Sequence, residues 1–191
     1  MTTKTLNISE EQLVDYSKAH NEPSWMTELR KKALKLTETL EMPKPDKTKL
    51  RKWDFDTFKQ HHTTGDSYHQ LTDLPKSVKE IIDVENSENL IIQHNNDLAY
   101  TQVSDQAKND GVIIEGLSEA LVNHSDLVQK YFMTKAVNVD EHRLTALHTA
   151  LVNGGIFVYV PKNTVVEHPI QYVVLHDDEQ ASFYNHVIIV T

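Results

Sequence analysis

The pattern of hydrophobic and polar residues changes near residue 88, from helical spacing to the spacing of strands. In the first part, Ser9 followed three positions later by Gln12 is a capping-box pattern that predicts a helix start. A second helix is predicted to begin near Pro23 and to end before Pro43, because proline lacks a backbone donor and disfavours helical geometry in the residue before it. The expected buried stripe of this helix has steps of three and four residues: Trp25, Leu29, Ala33, Leu36 and Leu40.

The second part predicts strands, helices and then strands again. The first elements are strands over 89–94, 98–103 and 111–117, followed by helices over 118–132 and 140–153. Asn95-Asn96-Asp97 separates the first two strands with residue types that tolerate the backbone of a tight hairpin. Gly154-Gly155 is expected to end the second helix as a left-handed cap.

After Gly155 each apolar run is strand-like, rich in Val, Ile, Tyr and Phe, and interrupted by Pro161, Pro169 and Asp177-Asp178. Strands that recur about every ten residues are typical of a sandwich or of the rungs of a β-helix. The run from Val187 to the last residue stops in mid-strand, which indicates a piece cut from a longer protein. Such an unprotected apolar edge also predicts self-association.

Composition narrows the function classes. The chain has 19 basic residues (Lys and Arg) and 28 acidic residues (Asp and Glu), which gives a net charge of −9. Residues 1–52 contain 11 basic and 8 acidic residues, whereas the remainder contains 8 basic and 20 acidic residues. An acidic body argues against nucleic-acid binding, which needs a clustered basic face. For the basic first part we favour a solvated helix face over docking on an acidic partner. No apolar run could span a membrane and the N-terminus has no signal-peptide core, so we expect a cytoplasmic protein with no membrane partner.

Cysteine is absent, which excludes disulfides and thiolate ligation of zinc or an iron–sulfur cluster by this segment. Eleven histidines raise the question of a metal site. One group shares a loop with a carboxylate but lacks the helical i, i+4 spacing of zinc proteases: His61, His62 and His69 around Asp66. We expect these to be exposed polar residues. His142 and His148, six positions apart, would lie on different faces of their helix.

The sequence also lacks common motifs of catalytic sites. The chain contains no G-x-S-x-G nucleophile motif and no glycine-rich phosphate loop, and Gly154-Gly155 is its only glycine pair. Asp177-Asp178-Glu179 is the carboxylate cluster of the final strands, and a solvated turn is favoured there over acid–base catalysis. We therefore predict no catalytic, cofactor-binding or metal-binding residue. The alternatives are a carbohydrate-active β-helix enzyme using this cluster and an independent iron-binding module using the histidine loop.

Three segments in order carry a family resemblance. They are an E-P-x-W opening with a later Arg over residues 21–34, a Trp-containing element over 50–58, and an A-L-H-T-A-L run over 143–151 that continues through 155–162 and 166–170. Together they resemble the SufB/SufD family of iron–sulfur cluster assembly proteins. The Trp53 element and His148 are more similar to the SufD members than to the SufB members.

The resemblance implies both a fold and a task. The expected fold class is α+β: an N-terminal helical region, then a mixed α/β segment, then the start of a right-handed parallel β-helix. The expected segments are a helical part over 1–42, a linker with short elements over 43–87, and a mixed α/β part over 88–191 that leads into truncated first rungs. Family membership implies a non-catalytic scaffold that works with SufB and the ATPase SufC. It also implies an iron–sulfur cluster in the full complex, with interfaces beyond Thr191.

Overall fold

A computed structural model describes residues 6–57 and 59–191, and within these ranges it contains seven α-helices and six β-strands. The helices are α1 (Glu10–Ala19), α2 (Ser24–Thr39), α3 (Lys76–Lys79), α4 (Asp105–Asn109), α5 (Leu117–Asn123), α6 (Ser125–Tyr131) and α7 (Arg143–Leu151). The strands are β1 (Asn89–His94), β2 (Asp97–Gln102), β3 (Ile113–Gly116), β4 (Gly154–Tyr159), β5 (Ile170–Leu175) and β6 (Asn185–Val190). The mixture of helices and strands expected from the sequence for an α+β protein is confirmed.

The chain divides into two compact units, which are described separately. The helical unit comprises Met1–His61 and Leu121–Val152, and the sheet unit comprises His62–Ala120 and Asn153–Thr191. Among the described residues, every helix is too short or too polar to cross a lipid bilayer.

Helix α1 begins as predicted. The Ser9 hydroxyl accepts a hydrogen bond from the Gln12 N–H, and the Gln12 side chain accepts one from the Ser9 N–H, so the capping box is complete. The helix ends at the cap residue His20, and Asn21 follows in the left-handed region with φ 52°. This reversal of the chain leads directly into α2.

The buried face of α2 is centred one position away from the predicted stripe. Four residues at helical spacing are buried: Met26, Arg30, Ala33 and Thr37. Of the predicted stripe only Ala33 is buried, and Trp25, Leu29, Leu36 and Leu40 flank it in a half-buried position. The predicted stripe was wrong because it contained only apolar residues, whereas the buried face includes Arg30, whose charge is paired with the buried Glu22.

The helix predicted over 118–132 is two helices in the structure. At His124 the backbone leaves helical geometry, with φ −131° and ψ 37°, and α5 ends while α6 begins. Val128 and Phe132, which the apolar spacing places on the inner side of the predicted helix, are nevertheless buried. The single-helix prediction was wrong at this position because the apolar spacing alone does not register a break in the backbone.

The helix predicted over 140–153 is shorter at both ends. The His142 side chain accepts a hydrogen bond from the Thr145 N–H, which makes His142 the N-cap and Arg143 the first helical residue. Val152 is the C-cap, so Gly154-Gly155 does not cap the helix as predicted; the two glycines begin β4. Gly155 has φ 130°, and a Cβ there would overlap the backbone of His186 on the neighbouring strand.

The sheet unit contains two three-stranded sheets. In the first, of order β2-β1-β5, the predicted hairpin β1–β2 is antiparallel and turns at Asn95, whose φ is 52°. β5 lies parallel to β1, with Asn89 opposite Ile170. In the second, of order β3-β4-β6, β3 is antiparallel to β4, whereas β6 is parallel to it, with Gly154 opposite Asn185.

The first sheet has an apolar cluster on each face, because side chains alternate along β1. One cluster contains Leu74, Val78, Ile82, Leu90, Ile92 and Ala99. The other contains Ile91, Ala107, Val112, Ile114, Ile156 and Val158, and so joins the two sheets. β1 is buried along its whole length, and its apolar residues Leu90, Ile91 and Ile92 follow one another without alternation because both faces of the strand are covered.

The segment between the helices and the sheets differs from its prediction. The alternation of Trp53, Phe55 and Phe58 in the sequence predicts a short extended segment laid on a core, but Trp53 follows a 3-10 turn over Leu50–Lys52 and is 65% exposed. Phe58, the third aromatic residue of this prediction, lies outside the described residues. The expectation of a buried extended segment was therefore wrong for Trp53.

Candidate functional site

The first family-like segment forms a buried ion pair in the helical unit. Arg30 and Glu22 have side chains only 2% and 3% exposed, and Arg30 donates to both carboxylate oxygens, from Nε to Oε2 at 2.8 Å and from Nη2 to Oε1 at 2.6 Å. Arg30 Nη1 also donates to the Ala150 carbonyl on α7 at 2.9 Å. The Ser17 hydroxyl donates to Glu22 at 2.7 Å, and the guanidinium lies over the Tyr16 ring. The pair therefore links α1, α2 and α7.

The electrostatics of this pair favour the charged forms. Burial by itself raises the pKa of Glu22, but the charge of Arg30 and hydrogen bonds from Arg30 and Ser17 outweigh it and hold the pKa below its ordinary value. Burial and the same Arg30 charge lower the pKa of His148. A neutral His148 is thus part of the environment of the ion pair.

The second and third family-like segments meet at Arg143. Its guanidinium pairs with Asp56 at 2.5 Å and donates to the Thr37 carbonyl at 2.8 Å, and its N–H donates to the Glu41 carbonyl at 2.9 Å. The side chains of Arg143 and Asp56 are 10% and 19% exposed. Arg143 therefore holds the end of α2 and the segment after it onto the start of α7.

A histidine–carboxylate cluster lies at the β1–β2 turn of the sheet unit. His94 Nε2 lies 2.9 Å from Asp177 Oδ1, and His94 Nδ1 accepts a hydrogen bond from the Asp66 N–H at 2.8 Å. Because Nδ1 accepts, the ring proton is on Nε2 and is donated to Asp177. The Tyr68 ring stacks on the buried His94 ring. The hydrogen bond from His94 lowers the pKa of Asp177.

Neighbouring groups fix the same turn. The Asn95 side-chain oxygen accepts hydrogen bonds from the N–H groups of Asp177 and Asp178. Gly65 approaches the His94 backbone so closely that a Cβ would overlap the carbonyl oxygen, and its N–H donates to Asp97. His62 Nε2 lies 2.8 Å from the other Asp97 oxygen. The cluster thus ties the loop before the first sheet and the turn after β5 to the hairpin.

A second polar network joins the two sheets. The Tyr172 hydroxyl on β5 lies 2.5 Å from Gln93 Oε1 and 2.9 Å from Asn185 Oδ1, and Gln93 Oε1 also accepts from the Gly155 N–H. Burial raises the pKa of Tyr172 above its ordinary range, so the phenol stays protonated and able to donate. These contacts fix strands β1, β4, β5 and β6 relative to one another.

The structure separates the histidines weighed in the sequence. His61 donates to the Leu151 carbonyl and packs on Tyr16, His62 contacts Asp97, and His69 is exposed. The exposed-loop prediction was therefore wrong for the half-buried His61 and His62. Over residues 6–57 and 59–191, no group of three or more His, Asp or Glu side chains is arranged to hold a metal ion.

Sequence reasoning missed the His94–Asp177 pair. The two residues are 83 positions apart and meet because β5 lies parallel to β1. The available signal was the Asp177-Asp178 turn, which was interpreted as solvated. Both ring nitrogens of His94 are engaged by protein groups, so His94 holds the loop at Asp66 and the turn at Asp177 in place.

Comparison with known proteins identifies the family. Residues 9–172 match the family model for the SufBD protein N-terminal region, so the chain belongs to the SufBD family. The predicted membership is confirmed by this match, and the SufD-type character of the segment by its 46% identity to the SufD protein of Bacillus subtilis. Given the family, the carbohydrate-active enzyme hypothesis is not favoured.

The relatives are all longer than this chain. The iron–sulfur cluster assembly protein SufD of Bacillus subtilis is 46% identical over 186 residues, which is 97% of this chain and 43% of that protein. A SufBD family protein of Pyrococcus horikoshii is 29% identical over 194 residues, covering 96% of this chain and 43% of the relative. A SufBD family protein of Staphylococcus epidermidis is 27% identical over 192 residues, covering 95% of this chain and 41% of the relative. The chain therefore spans less than half the length of these relatives.

Proposed function

We propose that this chain is the N-terminal part of a scaffold subunit for iron–sulfur cluster assembly, which performs no catalysis of its own and works with SufB and the ATPase SufC in the cytoplasm. The observation that carries this proposal is that charged residues in the family-like segments form contacts within the protein. Three charged residues of these segments form ion pairs inside the helical unit: Glu22, Arg30 and Arg143. Groups engaged in this way maintain an architecture and do not face a substrate.

The β-helix belongs to the same proposal. β6 lies parallel and in register beside β4 one circuit later in the chain, while the intervening β5 runs parallel beside β1 in the other sheet. Successive strands that alternate between two sheets and stack on earlier strands are what the first rungs of a parallel coil require. The Tyr172 network, which connects β1, β4, β5 and β6, fits such a coil.

In this proposal the cluster is a cargo held elsewhere in the complex. Nascent clusters are ligated by thiolates, and this segment contains no cysteine. The cluster ligands and the interfaces with SufB and SufC would then belong to parts of the subunit outside this segment. A role in iron supply would likewise belong to the whole complex.

Co-purification tests the proposal. The full-length protein carrying an affinity tag is expressed together with SufB and SufC, and we expect all three to elute together after a high-salt wash. An unrelated tagged protein of similar charge provides the control. A full-length protein that retains neither SufB nor SufC would refute the assignment.

We also propose that the isolated chain self-associates through β6. β6 lies at one edge of its sheet, carries no charged residue and exposes Val187 and Ile189 by 47% and 64%. Light scattering over a range of concentrations should show a mass that rises with concentration. Replacing Val187 and Ile189 with Lys should restore a constant monomer mass, and a wild-type chain that stays monomeric throughout would contradict the proposal.

A further inference from the structure

A basic and aromatic surface, called here the Trp53 surface, lies on the helical unit beside the contacts already described. It consists of Lys47, Lys49, Lys52, Trp53 and Phe55. The three lysines are exposed, and Trp53 is 65% exposed with its ring parallel to that of Phe55, the centroids 6.1 Å apart. Trp53 is therefore a large apolar side chain that lies mostly in solvent, with a second aromatic ring beside it.

The Trp53 surface is held in a fixed shape. Asp54 Oδ1 accepts hydrogen bonds from the N–H groups of Asp56 and Thr57, and its other oxygen accepts from the Thr57 hydroxyl. Asp56 in turn is paired with Arg143 on α7. The turn that presents the two rings is therefore anchored to the helical core, and little conformational entropy would be lost when a partner binds there.

The charge of this region is opposite to that of the whole chain. Residues 47–52 read KTKLRK, with four basic and no acidic residues, in a chain whose net charge is −9. A central aromatic group with a charged rim is the arrangement that protein interfaces favour, with tryptophan as a frequent energetic centre. The net charge of −9 disfavours a long polyanion, whereas a short acidic segment of a protein can pair with the basic run, whose exposed acidic neighbours are Asp46 and Asp54.

We propose that the Trp53 surface is a docking site for an acidic protein segment that carries apolar side chains between its carboxylates. The apolar side chains pack on the exposed face of Trp53 and Phe55, and the carboxylates pair with Lys49 and Lys52. This interface is additional to the scaffold role and does not depend on it.

Fluorescence anisotropy with defined probes tests the docking site. The probe is a labelled peptide of repeating Glu-Leu pairs, and the same peptide with Lys in place of Glu is the charge-reversed control. We expect saturable, salt-sensitive binding of the Glu-Leu peptide alone. Trp53→Ala should weaken it about tenfold, and the double substitution Lys49→Glu and Lys52→Glu should do the same.

A matched double variant distinguishes a defined binding site from general electrostatic attraction between the protein and the peptide. Lys32→Glu with Lys162→Glu changes the net charge equally at two exposed lysines outside the Trp53 surface, and should leave the affinity within about twofold. Circular dichroism checks that all variants fold. Absence of saturable binding, or equal weakening by both double variants, would overturn the proposal. Tighter binding to an oligothymidylate or to phosphatidylserine vesicles would overturn it in favour of a nucleic acid or a membrane.

Discussion

Removal of Arg30 from its pair with Glu22 is the most informative perturbation of the helical unit. Arg30→Met leaves the Glu22 carboxylate buried without its cation and leaves the Ala150 carbonyl without its donor. Breaking a buried ion pair by removing one partner costs about 3–5 kcal/mol, because the remaining charge is uncompensated. We expect a loss of this size in the free energy of unfolding. Lys32→Met, an exposed change on the same helix, should cost less than about 0.5 kcal/mol.

Urea unfolding followed by Trp25 fluorescence measures this change, since the Trp25 indole N–H donates to Ser125 and reports on the helical unit. The measurement uses a Trp53→Phe background, which removes the other tryptophan. Glu22→Gln should also be destabilising, and the double variant should lose less than the sum of the two single losses. A loss below about 1 kcal/mol for Arg30→Met, or strict additivity, would refute the reasoning.

Three further predictions concern titration, backbone conformation and the polar network between the sheets. The pKa of His148 is lowered from 6.5 in the folded chain, so the unfolded chain binds this proton more readily and stability should fall as the pH falls below about 6.5. His148→Gln should flatten this part of the plot of melting temperature against pH. An unchanged plot would contradict the assignment. Gly155→Ala should cost about 1–3 kcal/mol or more in chemical unfolding because φ is 130°, and a neutral result would contradict the strain. Tyr172→Phe removes the buried hydroxyl that lies beside Gln93 Oε1 and Asn185 Oδ1 and should cost about 1–3 kcal/mol by the same assay, whereas a gain in stability would contradict the network.

Local signals in the sequence predicted most elements of the fold. The capping box at Ser9, the hairpin around Asn95 and the apolar runs of β1, β4 and β6 act over a few neighbouring residues, and each formed as expected. Element boundaries that depend on one side chain were harder to predict from the sequence. The helix predicted from residue 140 starts only at Arg143, because the His142 imidazole caps its first turn, a role that Ser, Thr, Asp and Asn usually perform.

The polar contacts were the least predictable part. A charged residue such as Arg30 is assigned to solvent by any hydropathy pattern, and its burial depends on Glu22, eight positions earlier and directly after the left-handed Asn21. The His94–Asp177 pair depends on the parallel pairing of β1 with β5, which no local pattern specifies. The family-like segments were recognisable in the sequence, but their role as linked ion pairs required the three-dimensional arrangement.

The central claim is that this segment supports cluster assembly without holding a cluster itself. Iron and acid-labile sulfide can be measured in the 191-residue chain and in the complex of the full-length protein with SufB and SufC, after identical anaerobic reconstitution. We predict iron and sulfide at background level in the chain alone and a cluster in the complex. Stoichiometric iron and sulfide bound to the chain by itself would contradict the account.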